Sequence, residues 1–120
     1  MASQAESPAP GSFLYSEARG TRSRENIVIV SGAGVVPAGR VLGKITASGK
    51  YQGYNSSNSP AGIGTVTGVL YAEVDATSAD QNAVMIARDA EVVNARVTTV
   101  VGGDKATATT GLTTLGILSR

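Results

Sequence analysis

Apolar positions along the chain fall in short β-branched or alternating runs, separated by glycine, proline, asparagine and serine. That rhythm belongs to strands and turns rather than to long helices. Ile27-Val28-Ile29-Val30 is β-branched throughout and closes at Ser31-Gly32. A continuous run of this kind predicts burial on both faces, between two sheets or between a sheet and another subunit. Arg40 to Ala47 follows Pro37-Ala38-Gly39 as a second short strand, and Tyr51 to Gly64 has no strand or helix period and reads as a long exposed loop. Thr65 to Tyr71 alternates, with Val66 and Leu70 predicted on one face; Val74 to Asp80 reads as a turn. Asn82 to Arg88 is another apolar strand, and Val93 to Val101 alternates with Val93, Ala95, Val97 and Val101 on one face. From Lys105 to Leu115 the spacing changes: Ala108, Leu112 and Leu115 mark one helical face, and Gly116 suits the left-handed position that ends a helix. The expectation is a mainly β fold, a small barrel or sandwich, with one short C-terminal helix.

Met1 to Ser12 is small, polar and interrupted by Pro8, Pro10 and Gly11, with little to offset the entropy of ordering it. Residues 1–25 are therefore expected to form a mobile N-terminal arm and residues 26–120 a single β-rich domain. Within the arm, Phe13, Leu14 and Tyr15 form an apolar cluster followed by Arg19, Arg22 and Arg24. Either the cluster docks on its own domain or it is a short segment that binds a partner, and both readings are open.

Composition narrows the chemistry. The 120 residues suit one ordinary domain, and histidine and cysteine are both absent. Ser-His and Cys-His nucleophile pairs, His and Cys metal sites and disulfides are thereby excluded. Aromatics make up 4%, with one Phe, four Tyr and no Trp, so the core must be thin and aliphatic. The net charge of +1 lacks the clustered cations that nucleic acid demands. No apolar run approaches the roughly 18 residues that cross a bilayer, and the N-terminus lacks a basic patch followed by an apolar stretch; a soluble chain without a secretory signal is expected.

The remaining candidate motifs are weak. Gly32-Ala33-Gly34 and Gly62-Ile63-Gly64 miss the third glycine of a dinucleotide fingerprint, and Gly34 to Val41 has phosphate-loop glycine spacing with Arg40-Val41 where Lys and Ser/Thr are required. Glu73, Asp75 and Asp80 lack the spacing and the turn glycine of a calcium loop and read as turn caps. Asp89 and Glu91 would share one face of a strand, where paired carboxylates are most often solvated or salt-bridged. No catalytic, cofactor or metal-ligating residue is assigned.

Five segments resemble the head decoration, or capsid-cementing, proteins of lambda-type tailed bacteriophages: Phe13 to Asn26, Pro37 to Tyr51, Gly64 to Thr77, Val84 to Ala95 and Leu112 to Arg120. The phrases VLGKITASGKY, RDAEV and the terminal LGI are the most specific. The resemblance implies a small β-clip-like homotrimer on the outer surface of the virion capsid, at local three-fold positions of the expanded shell, with no enzymatic activity and no cofactor. It implies the major capsid protein and the chain's own copies as partners, without nucleic acid or membrane. It also gives the arm a role, ordering against the major capsid protein, with Phe13, Leu14, Tyr15, Arg19, Arg22 and Arg24 as the contacting residues. The Thr-rich stretch before LGI departs from the alanine-rich helix of relatives. Two rival classes are a trimeric nucleotide hydrolase of similar small β architecture, for which a phosphate-binding tail and acidic loop are missing, and a structural or adhesive module of another virion part.

Overall fold

The computed structural model describes residues 9–20 and 22–120. Ten strands, two 3-10 turns and one helix follow in order: β1 Leu14–Glu17, β2 Arg24–Ile29, β3 Gly34–Val36, β4 Val41–Lys44, β5 Tyr51–Gly53, β6 Val66–Leu70, β7 Val74–Ala76, β8 Gln81–Ile86, β9 Ala90–Val92, α1 Lys105–Thr114 and β10 Ile117–Ser119. The 3-10 turns, Asn94–Arg96 and Gly102–Asp104, lie between β9 and α1. Strands β2, β5, β4, β6 and β8 close a small barrel, β1, β9 and β10 form a separate three-stranded sheet, and β3 and β7 form a two-stranded ribbon. The mainly β architecture with one short C-terminal helix is as the apolar pattern predicts.

Period-two alternation gives the barrel wall two jobs. Ile27, Ile29, Leu42, Leu70 and Met85 cluster with Val36 and Ala76 of the ribbon. Val41, Val66, Val69 and Ile86 belong to a second, larger cluster with Phe13, Val92, Ala108, Leu112 and Ile117, under the helix and the three-stranded sheet. The helix approaches closely because Gly111 has no side chain: a Cβ there would stand 2.7 Å from Val66 Cγ2. Four threonine hydroxyls, of Thr109, Thr110, Thr113 and Thr114, donate to the carbonyls four residues back, which satisfies them within the helix. Gly116 ends it at φ +82, the left-handed position expected.

Several local expectations are corrected. The stretch read as loop contains β5, and the turn at Val74 to Asp80 contains β7; three-residue strands are too short to show a period. Val93 to Val101 is not a strand. Val93 N–H bonds Phe13 O, Asn94–Arg96 turns, and only Val97 of the four predicted inward residues is buried, while Val101 is 45% exposed. Val66 and Leu70 do not share a face: the β4–β6 register shifts at Leu42/Gly43, Thr67 donates its hydroxyl to Leu42 O at 2.9 Å, and the two residues fall in different clusters. Ile27 and Ile29 are buried, but Val28 and Val30 remain half-buried, so the two-sided burial predicted for β2 is met on one face alone.

Candidate interaction surface

The N-terminal segment is built into the molecule from Gly11 onward. Gly11 N–H donates to Tyr71 O at 2.9 Å, Arg96 Nη1 donates to Ser12 O at 3.0 Å, and Phe13 is 0% exposed in the larger cluster. A lone Phe in an aromatic-poor chain is the largest apolar surface available to that core, and burial of the kind is worth about 1.5–3 kcal/mol. β1 then pairs antiparallel with β9, with a register shift between Leu14 and Ser16. The shift leaves Leu14 packed against the core while Tyr15 is 68% exposed. Thus the expected boundary between arm and domain at Asn26 does not coincide with the packing: residues 9–20 and 22–25 lie on or in the domain, and residues 1–8 and Thr21 of the expected arm fall outside the described residues.

Past β1 the chain folds around Ser23, a fully buried hydroxyl. Ser23 Oγ donates to Asp89 O at 2.9 Å and accepts from Ala18 N–H at 3.0 Å. Asp89 takes the left-handed conformation, φ +49, so it forms a corner before β9 and does not share a strand face with Glu91. Arg24 bonds Glu17 through Nε at 3.0 Å and lies 4.3 Å over the Tyr71 ring; the Glu17 hydrogen bond raises its pKa further, so it stays charged. Arg88 ties the segment from the other side, donating to Arg22 O and Glu25 Oε1, each at 2.7 Å. Arg22 faces Asp89 at 3.6 Å with most of its side chain in solvent, a geometry worth little. Arg19 is exposed with no ion pair among the described residues.

The six candidate contact residues therefore divide. Phe13 and Leu14 face inward, Arg24 is engaged with Glu17 and Tyr71, and Tyr15, Arg19 and Arg22 face solvent along one segment. The acidic residues serve the turns: Asp75 accepts from the Thr77 hydroxyl at 2.5 Å and from Thr77 N–H at 3.1 Å, and Asp80 accepts from Lys50 Nζ at 2.6 Å and Ser31 N–H at 2.7 Å. These donors hold both carboxyls below their ordinary range. Glu91 accepts from Ser16 Oγ at 2.9 Å and Arg120 Nε at 2.7 Å, joining β1, β9 and the C-terminal residue. Gly32 and Gly34 take positive φ in the turn leading into β3, which accounts for that glycine pair as backbone geometry.

Among the described residues the molecule presents exposed strand edges, one protruding tyrosine and scattered cations on a small β-barrel. The chain belongs to the family described as bacteriophage lambda head decoration protein D, which matches residues 3–117. This is a family of structural phage capsid proteins, not of enzymes, and membership assigns the chain a role in decorating the capsid of a virion. No curated protein matches, and no solved structure matches.

Proposed function

We propose that this protein binds the outer surface of an expanded phage head as a homotrimer at local three-fold positions, contacts the major capsid protein there, and stabilises the shell. The family match over residues 3–117 carries the reading. The mechanism needs no chemistry. A protein that binds the expanded lattice and not its disassembled parts adds its binding free energy to the lattice, and symmetric copies multiply the effect.

Tyr15, Arg19 and Arg22 touch the shell in this proposal, because they are the exposed members of the six candidate contact residues. Phe13, Leu14 and Arg24 position them. A tyrosine that protrudes from a strand fixed at both ends by Phe13 and Ser23 loses little entropy on binding, which is what favours tyrosine as an anchor. The arginines act through charge, so their share falls as salt screens beyond about 10 Å at 0.1 M.

The test is co-sedimentation of purified protein with expanded, undecorated heads of its own phage, followed by heating of the decorated heads. Saturable binding and a raised disruption temperature are expected. Tyr15→Ala should weaken binding at least tenfold, an anchor-sized loss, without moving the unfolding transition of the free protein. Folded protein that fails to bind overturns the function; binding unchanged by Tyr15→Ala overturns the anchor.

A further inference from the structure

The barrel wall is covered where α1 and the three-stranded sheet pack on it and bare beyond that. Ile86 belongs to the covered cluster, but the same outward row of β8 continues as Val84 and Asn82, and the paired row of β2 as Asn26 and Val28. The two valines are half-buried and the two asparagines exposed. They floor an open cleft between β2 and the turn at Ser48 to Lys50, with Lys44 on its rim.

On one side β2 is paired to β8 along its whole length; on the other it meets β5 only at Ile29 and Tyr51. The bonds from Ala87 N–H to Ser23 O at 2.7 Å and from Val30 N–H to Tyr51 O at 3.0 Å fix the alternation. Odd-numbered residues of β2 bond β8, and even-numbered ones point away. The N–H and C=O of Asn26 and the N–H of Val28 thus project into the cleft, where no described strand pairs with them. An edge of this kind, with no proline and no bulge, is a template for another strand. The rim charge biases the partner: Lys50 is taken by Asp80 and Glu25 by Arg88, while Lys44, 5.9 Å over the Tyr51 ring, has no ion pair among the described residues.

We propose that a second copy of the chain docks here, the acidic β3–β7 ribbon of one subunit adding to the open edge of β2 in the next; this rests on the homotrimer reading above. Val35 of the ribbon is 56% exposed, its cross-strand neighbour is Asp75, and Glu73 at the foot is exposed with no ion pair among the described residues. β3 pairs only with β7, so its far edge is open too. The ribbon joins β2 through the turn at Val30 to Ala33 and β6 through Tyr71 to Glu73, so it stands at the end of the barrel where β2 finishes. Ribbon and open edge are two different patches, so their contact is head-to-tail; it closes into a ring where its rotation allows and runs on as a filament where it does not, and the homotrimer reading takes the ring. Docking beside β2 covers Val28 and Val35, and it supplies second-face burial that β2 lacks within its own subunit.

The experiment is sedimentation of the full chain over a range of concentrations, with residue-resolved amide exchange. Lys44→Glu and Glu73→Lys should each raise the dissociation constant about tenfold, the scale of a close interfacial charge pair, and the double reversal should restore it. The amides of Asn26 and Val28 should exchange slowly in the assembled protein and fast on dilution. Normal association with both amides still open, or with both single variants unaffected, places the interface elsewhere and refutes the inference while leaving the homotrimer standing. A monomer at every concentration refutes both. Protection that appears only when expanded heads are added gives the edge to the shell and refutes the second copy as its occupant.

Discussion

The two apolar clusters draw on the same aliphatic residue types and are closed in different ways. The larger one is sealed by the chain's own distant parts: Phe13 from one side, Ala108, Leu112 and Ile117 from the other, against Val41, Val66, Val69 and Ile86 of the barrel. The smaller one, inside the barrel, has no phenylalanine and takes all its buried residues from 27–87. Behind it, the outer face of β2 and the first half of β8 stays half-exposed. The difference separates a cluster that the chain seals with its own distant segments from one whose outer wall stays open. The ends of the chain stabilise the fold, and the barrel's bare wall is available for partners.

The strongest way to break the comparison is to remove the seal. Phe13→Ala leaves a phenylalanine-sized void in a fully buried site, which costs about 3–5 kcal/mol out of a total that is typically about 5–15. Urea unfolding should show that loss, and stability within about 1 kcal/mol of the original would mean that Phe13 is not in the core. The same packing changes what an N-terminal truncation means. Removing residues 1–24 takes away Phe13, β1 and Ser23 along with any shell contact, so weak binding by that truncation would report unfolding as much as lost affinity.

A smaller effect tests how closely the helix seats. Gly111→Ala improves helix propensity by about 1 kcal/mol. Its new Cβ would stand 2.7 Å from Val66 Cγ2 and 2.8 Å from Val66 Cβ, and overpacking of this kind costs about 1–3 kcal/mol. Because the clashing atoms belong to a short branched side chain on a barrel strand, the cost wins, and the variant should be destabilised. Adding Val66→Ala should make Gly111→Ala neutral or favourable in that background. A stabilising Gly111→Ala in the original protein would mean the helix sits further out.

Much of this was legible in the sequence where a pattern ran long enough to have a period. β2, β8 and the helix with its Gly116 end follow from β-branched runs and from the 4-3 spacing of Ala108, Leu112 and Leu115. The strands β3, β5, β7, β9 and β10 have three residues each, and their pairing is set by tertiary contacts instead. The placement of Phe13 was obscured by its neighbours, since prolines, glycines and arginines argue for an arm. The one available signal was scarcity: in a chain with a single Phe, that residue is the default core filler. The exposure of Tyr15 depends on a register shift against β9, which no local feature of Leu14-Tyr15-Ser16 announces.

The smallest expected effect concerns two carboxylate ties, Glu91 between the two chain ends and Asp80 in the turn before β8. Arg120 hydrogen bonding, and then Ser16, hold the Glu91 carboxyl below its ordinary value of 4.5. Lys50, and then Ser31 N–H, do the same for Asp80 against an ordinary value of 3.8. A carboxyl whose folded pKa is depressed binds its proton less readily in the folded state, so it contributes stability above the unfolded value and loses it as pH falls through the folded one. Stability should therefore decline as acid is added from about pH 4.5 downward, with Glu91 leading and Asp80 following. Arg120→Gln isolates the first part: the backbone bond from residue 120 N–H to Val92 O remains, and only the charge on Glu91 loses its main partner. The gap between the original protein and this variant should be present at neutral pH, shrink with added salt because the pair is solvent-accessible, and close in acid. Parallel pH profiles would show that Glu91 does not link β9 to the C-terminus, leaving Ile117 and the β9–β10 ladder to hold that end alone.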